Sequence, residues 1–399
     1  MRRIMIRRLQ VKNFKSIREL DLEFGPVNVL VGPNMSGKSN LVDVFRFLTR
    51  MVLPSGGGSF GLPNAVQAVG GFWELAWKGS DSNLLSLRLQ GELPGTEPNS
   101  QTTEWDYGIS IVADQRGYNL RVQDESLTFT TGTTRSDLVR TDAGQRRIFR
   151  PDGRTISDIN ESSRSALEYE IPDWEGNPLR LFFTAIQFHR PFPPAMKKVN
   201  QMLGERFLRE HGDNLSSWLM TLQATHRESF ARIEAVMKDA FPDLESLFTV
   251  PTQQSTVFLS SREKFLRHPV SCLQMSDGEL AFLAFLSLIL SPDDVGAPLH
   301  CVEEPENHLH PRLLEILAEI LRQEHEARPP DQRAQVILTT HSPYLVDQFK
   351  LDELLVVEKR EGATICTRPT HKNHLRGLLE RKEVGLGDLF YSGALSSAR

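Results

Sequence analysis

Val27-Asn28-Val29-Leu30-Val31-Gly32-Pro33-Asn34-Met35-Ser36-Gly37-Lys38-Ser39 decides how this chain is read. It gives a buried apolar strand, a loop with the spacing G-x-x-x-x-G-K-S, and a helix from Asn40 on. Leu41, Val42, Val44, Phe45 and Leu48 form the apolar stripe of that helix. Strand, glycine loop and helix in that order are the context a phosphate-binding loop needs. Loop N–H groups would wrap the β- and γ-phosphates, and the helix N-terminus would add its dipole. Lys38 is expected to reach the terminal phosphates, and the Ser39 hydroxyl to ligate Mg²⁺. The alternative is a glycine-rich turn followed by Lys-Ser, which the strand and helix flanks argue against.

Composition sets the outer bounds. The chain has 399 residues, 39% hydrophobic and 24% charged, with net charge −5. That fits a globular protein of more than one lobe. It excludes a nucleic-acid polycation, so any DNA contact must come from a local basic patch. Cys272, Cys301 and Cys366 are far apart and form no C-x-x-C, which favours a reducing cytoplasm over a disulfide scaffold or zinc ribbon. No apolar run reaches about 18 residues, so no membrane span is expected. The basic start, Met1 to Arg8, is followed by no long apolar region, so a signal peptide is not expected.

Before the loop, Ile4–Val11 and Leu20–Phe24 read as strands. After the first helix comes a loop at 54–59. Residues 72–190 then read as mostly antiparallel sheet, with strands at Leu84–Leu89, Glu104–Val112, Leu120–Val122, Leu127–Thr130 and Leu181–Phe188. Arg135, Arg140, Arg146, Arg147, Arg150 and Arg154 make a basic loop. It is read as a solvated hairpin tip balanced by Asp137, Asp142 and Asp152, the alternative being a contact to a phosphate backbone. Residues 196–247 read as helical, with Gly212 to Leu215 capping one helix and Phe230, Ile233, Val236, Met237 and Phe241 striping another. The expected organisation is an N-terminal lobe at 1–190, a helical insertion at 191–250 and a C-terminal lobe at 251–399.

The last lobe alternates strands and helices, which implies a parallel sheet with crossovers. Pro298 to Glu306 is a strand ending in carboxylates, Leu313 to Leu321 an amphipathic helix, and Gln335–Thr340 a strand ending at His341. Ligands of such sheets sit at the carboxyl ends of strands. There Glu303 and Glu304 can divide the work. One holds Mg²⁺, and the other orients and deprotonates a water. His341 can donate to the γ-phosphate. His300, Cys301, Glu306, His308 and His310 match no common zinc spacing.

Taken together, these elements resemble the ABC-type ATPases of the SMC, RecF and OLD-like (overcoming lysogenization defect) group. Gly32–Ser39 resembles a Walker A loop, Ser276-Asp277-Gly278-Glu279 an ABC signature, and Cys301-Val302-Glu303-Glu304 a Walker B strand with its catalytic glutamate. Glu306 to Pro311 resembles a D-loop, Thr340-His341-Ser342 a switch histidine, and Asn13-Phe14-Lys15-Ser16 the N-terminal motif of the group. The run Glu303 to Pro311 and the closing Leu389 to Gly393 resemble OLD-like members in particular. Glu303 stands where most members have Asp, and Asp277 replaces a glycine.

The resemblance implies an α/β P-loop head with a mixed, mainly parallel sheet, an antiparallel β lobe and a helical insertion. It implies ATP contacts from Gly32, Asn34, Ser36, Gly37, Lys38, Ser39, Asn40, Lys15 and Ser16. Gln187 is the candidate Q-loop residue. Ser276 and Gly278 would reach ATP across a head-to-tail homodimer, or within a higher oligomer. Mg²⁺ would sit on Ser39 and Glu303, and catalysis would fall to Glu304, Glu303, His341 and Lys38. The implied function is ATP-dependent control of a DNA-directed process, plausible in anti-phage defence beside a separate Toprim-type nuclease, for which the chain after His341 has no room. RecF-like repair, or an ATP-bound scaffold with slow turnover, are the alternatives.

Overall fold

The computed structural model describes residues 4–53, 61–95, 101–142, 145–158, 163–292, 297–329, 332–369 and 385–395. The expected loop at 54–59 lies outside them. The N-terminal half contains β1 (Met5–Phe14), β2 (Ile17–Glu23), β3 (Val27–Val31), α1 (Lys38–Val52), α2 (Gly61–Gln67) and α3 (Phe72–Leu75). There follow β4 (Leu84–Leu93), β5 (Thr103–Ala113), β6 (Leu120–Thr131), β7 (Thr134–Asp142), β8 (Gln145–Phe149), β9 (Thr155–Asp158), α4 (Asn177–Thr184) and β10 (Gln187–His189). Next come α5 (Pro193–Met196), β11 (Asn200–Gln201), α6 (Leu215–Thr225), α7 (Arg227–Ala240), β12 (Leu244–Pro251), β13 (Thr256–Glu263) and β14 (Val270–Ser271). The chain continues through α8 (Asp277–Ile289), β15 (Leu299–Glu303), α9 (Pro311–Ala327), β16 (Gln335–Thr340), α10 (Pro343–Val346), β17 (Leu354–Arg360), β18 (Ala363–Thr367) and α11 (Leu386–Tyr391).

The central sheet runs β10-β15-β16-β3-β17-β18 and is parallel except for the β17–β18 hairpin. Every residue of β3 and β16 is buried, as expected for strands covered on both faces. Side chains alternate across β3, so Val27, Val29 and Val31 join one core and Leu30 the other. The first core packs α1, α2 and α4 against an eight-stranded antiparallel sheet, β2-β1-β4-β5-β6-β7-β8-β9. The second gathers α6, α7, α8, α9 and α10 on the opposite face. Gln335 stitches the layers together: its side chain bonds both the N–H and the carbonyl of Ile6 and the carbonyl of Gly25. No helix among the described residues is long and apolar enough to cross a membrane.

Several expectations are corrected. Leu181–Phe188 is not one strand: residues 177–184 form α4, with Leu179, Phe182 and Phe183 buried at helical spacing, and only Gln187–His189 is extended. A short apolar run does not discriminate the two. Leu120–Val122 and Leu127–Thr130 are one strand, β6, with a register shift against β5. The basic loop is a meander, β7-β8-β9, and as expected its exposed arginines are balanced by aspartates, Arg135, Arg140, Arg150 and Arg154 pairing with Asp137, Asp142 and Asp152. Arg146 differs, being buried on Glu125 and bonded to it at 2.5 Å. The 191–250 stretch carries β11 and most of β12 as well as helices. Asn214 stands at the α6 N-cap, but its side chain bonds Arg209 and Phe207 instead of the helix.

Candidate functional site

The loop between β3 and α1 needs its glycines. A Cβ on Gly32 would lie 2.2 Å from the Val357 carbonyl oxygen, and one on Gly37 only 2.0 Å from Thr364 Oγ1. Gly37 also takes φ +104°, and Met35 takes φ +66°. Left-handed residues of this kind turn successive N–H groups toward one concavity. Lys38 is almost fully buried and folds back over the loop, Nζ donating to the carbonyls of Gly32 at 2.8 Å and Pro33 at 3.0 Å. Burial pulls its pKa below the usual lysine range, and Glu304 and Glu306 partly offset this. Ser36 Oγ is buried without a hydrogen-bond partner. Asn34, Met35, Gly37, Lys38, Ser39, Asn40 and Glu304 line the cleft over this loop.

Behind the loop, the β1–β2 turn and the β17–β18 hairpin hold it in shape. Thr364 Oγ1 donates to the Ser36 carbonyl at 2.9 Å and lies 2.6 Å from Ser16 Oγ, which accepts from Asn40 Nδ2 at 2.6 Å. Lys15 pairs with Asp43 of α1. Lys15 and Ser16 do not line the loop cleft. They line a neighbouring one with Asn40, Trp77, Lys78, Lys359 and Glu361.

The carboxylates gather at the ends of β15 and β16. Glu304 adopts φ +46°, and its N–H is held by the Thr339 carbonyl at 3.0 Å. Its side chain faces the loop cleft, and Asn307 Nδ2 donates to its Oε2 at 3.1 Å. Glu303, the last residue of β15, does not line that cleft and meets Arg46 of α1 at 3.0 Å. Glu306 belongs with the site although its motif position alone had not assigned it there. Its Oε1 accepts from Thr340 Oγ1 at 2.7 Å and from the His341 N–H at 2.8 Å, and lies 3.2 Å from His341 Nδ1. Its Oε2 is buried without a partner. His341 Nδ1 is 3.9 Å from Glu304 Oε1. The Glu-Pro-Glu spacing is the signal that could have found Glu306, since a proline between two acids re-aims the second.

Two sets of expected residues stand apart. Gln187 pairs in register with His300, near the amino end of β15 and away from the carboxyl end where Glu304 sits. Ser276, Asp277, Gly278 and Glu279 contribute nothing to the loop cleft. Ser276 is exposed as the N-cap of α8, in a reciprocal capping box with Glu279. Asp277 is held by Lys197 at 2.7 Å, which keeps its carboxyl below the usual range. The other candidate ligands have structural partners: His300 bonds His189, and His310 caps α9.

The sequence model of the family described as "AAA domain, putative AbiEii toxin, Type IV TA system" matches residues 27–347. The chain is similar to the OLD nuclease of Thermus scotoductus, 24% identical over 403 residues that cover 96% of this chain and 68% of that protein. It is similar to the DNA replication and repair protein RecF of Brucella abortus over 48 residues, 48% identical, 12% of each chain. Among solved structures it is similar to the Smc head bound to the C-winged helix domain of ScpA, with TM-score 0.55 and 15% identity over 92% of this chain and 99% of that one. A Smc head with an extended coiled coil, bound to the C-terminal domain of ScpA derived from Pyrococcus furiosus, gives TM-score 0.50 and 13% identity over 95% and 100%. The fold is that of an ABC-type P-loop ATPase head.

Proposed function

This chain belongs to the AAA domain family matched over residues 27–347, as an ATPase of the SMC, RecF and OLD type, and from that premise we propose that it binds and hydrolyses ATP between two copies of itself. One observation carries the reading. Lys38, Glu304, Glu306 and His341 come from three segments, the start of α1, the loop after β15 and the end of β16, and converge where β3, β15 and β16 end side by side. The residues fit a triphosphate: left-handed loop residues, an unpartnered Ser36 hydroxyl, and a lysine resting on carbonyls it can leave.

Lys38 would move from the Gly32 and Pro33 carbonyls to the β- and γ-phosphates, while loop N–H groups from Gly32 to Ser39 hold the chain of phosphates. Glu304 is the base, fixed by Asn307 and by its own constrained backbone, and takes the proton of the attacking water. Glu306 grips His341 at Nδ1 and at the backbone, leaving Nε2 for the γ-phosphate. Ser39 lines the cleft and would hold Mg²⁺, which when bound would supply charge neutralisation on the phosphate oxygens, whereas Glu303, expected as its second ligand, is turned to Arg46 and stands outside that cleft. Lys15, Ser16, Asn40 and the half-buried Trp77 border the neighbouring cleft, which suits the nucleoside. The exposed Ser276 and the Gly278 N–H, at the start of α8, would complete the site of the second copy.

On this reading ATP closes the dimer and hydrolysis opens it. Similarity to an OLD nuclease supports control of a separate Toprim-type nuclease, as in anti-phage defence. The RecF match supports a second reading, a repair ATPase acting on DNA. Glu304→Gln should trap an ATP-bound dimer on size exclusion, with hydrolysis lost. An unchanged hydrolysis rate would remove Glu304 from the role of base.

A further inference from the structure

A cavity of about 110 Å³ lies under α9, on the face of the central sheet opposite the N-terminal sheet. Phe285 and Leu288 of α8, Leu317 and Leu321 of α9, and Val302 and Val336 of the sheet wall it. It shares no lining residue with the cleft over the phosphate loop. Protein interiors seldom hold voids larger than a water molecule. An amphipathic helix such as α9 should close onto its sheet, yet Ile320 and Leu321, on its apolar face, are only partly buried. An apolar void of this kind stays dry and accepts apolar guests: one of about 150 Å³ takes benzene. Pro305, between Glu304 and Glu306, and Leu345, four residues after His341, also line the cavity.

The rim is polar and carries more positive than negative charge. Arg328, Arg333 and Glu324 are the charged residues that line the cavity. Glu324 is already paired with Arg232 and lies 3.7 Å from Arg328 Nη2. Arg333 donates from Nε to the Arg328 carbonyl at 2.8 Å, and no carboxylate among the described residues pairs with its guanidinium. Burial, and then Arg333 and Arg328, brings the His325 pKa down to about 4, so this ring is neutral. Its Nε2 is buried without a hydrogen-bond partner. Apolar walls under a cationic rim fit an anion with an apolar tail. We propose that the cavity binds a small apolar carboxylic acid, its tail of about six carbons against Leu317, Leu321 and Val336 and its carboxylate on Arg333 and Arg328. Binding here does not require the ATP reading.

Calorimetry of the full chain without nucleotide compares octanoate with 1-octanol. Octanoate should bind at a single site about tenfold more tightly than the alcohol, since only its head is charged. Leu321→Trp, which fills the cavity from α9, should abolish the binding. Arg333→Gln should weaken octanoate about tenfold and leave 1-octanol within about twofold of the parent. Arg333 is half-buried at the rim, so this variant keeps the test decisive if Leu321→Trp does not fold. Absence of saturable octanoate binding, or binding that both variants leave unchanged, overturns the proposal. So does 1-octanol binding as tightly as octanoate.

Discussion

Glu304, the proposed base, has an unusual backbone, φ +46°. A left-handed non-glycine residue costs about 1 kcal/mol and persists only where its surroundings enforce it. Here the enforcing contact is the Thr339 carbonyl, which holds the Glu304 N–H. Glu304→Gly should thus leave stability unchanged or raise it by up to ~1 kcal/mol in urea unfolding, while abolishing hydrolysis. A clear loss of stability would mean that the side chain serves the fold. Gly37 is the opposite case. Gly37→Ala meets Thr364 Oγ1 and an unfavourable φ together, so unfolding should be easier by roughly 1–3 kcal/mol and nucleotide affinity should fall. Lys38→Ala should abolish nucleotide binding in calorimetry; normal affinity would contradict the role given to the loop.

At the scale of elements, α8 shows how one residue can serve fold and site. Ser276 caps the helix through the Glu279 N–H. Ser276→Ala should cost about 1 kcal/mol of stability, whereas Ser276→Asp, also a good cap, should retain it. Ser276→Asp should nevertheless block ATP-dependent dimerisation, since it sets a negative charge against the phosphates. Ultracentrifugation with and without Mg·ATP separates the two roles. The β10–β15 pair carries a pH dependence. Burial, and then His300, holds the His189 pKa well below its ordinary value, so the folded state keeps the ring neutral. That contribution is fully present above the unfolded pKa of about 6.5 and is lost as pH falls below it. The urea midpoint should drop between pH 7.5 and 5.5, and His189→Asn should flatten the drop. The elements legible from sequence were those with local signatures: β3 and its loop, β15 with its terminal acids, and β16 ending at His341. The others lacked one. Leu-Phe-Phe at 181–183 suits strand and helix alike, and the meander β7-β8-β9 carries too many arginines for a clean alternation. Contacts such as Ser16–Thr364 and Arg46–Glu303 join residues hundreds of positions apart, which no local pattern encodes.

For the whole molecule, the central sheet separates two cores, and the two proposed halves of the nucleotide site follow that division. The loop and α1 belong with the N-terminal sheet, and the signature helix α8 lies in the core on the opposite face. Lys38 and Glu304 meet at one cleft, to which the 276–279 turn contributes nothing. On the proposed reading such a head is half of a site, and a second copy would supply the remainder. Mixing two disabled variants measures this directly. Lys38→Ala lacks the phosphate grip and Ser276→Arg lacks the exposed signature, so each alone should be inactive as an ATPase. An equimolar mixture should regain about a quarter of parental turnover, because half of randomly assembled C2 dimers contain one intact pairing of Lys38 with the other copy's Ser276. A mixture as inactive as its components, with both variants folded, would contradict a shared site.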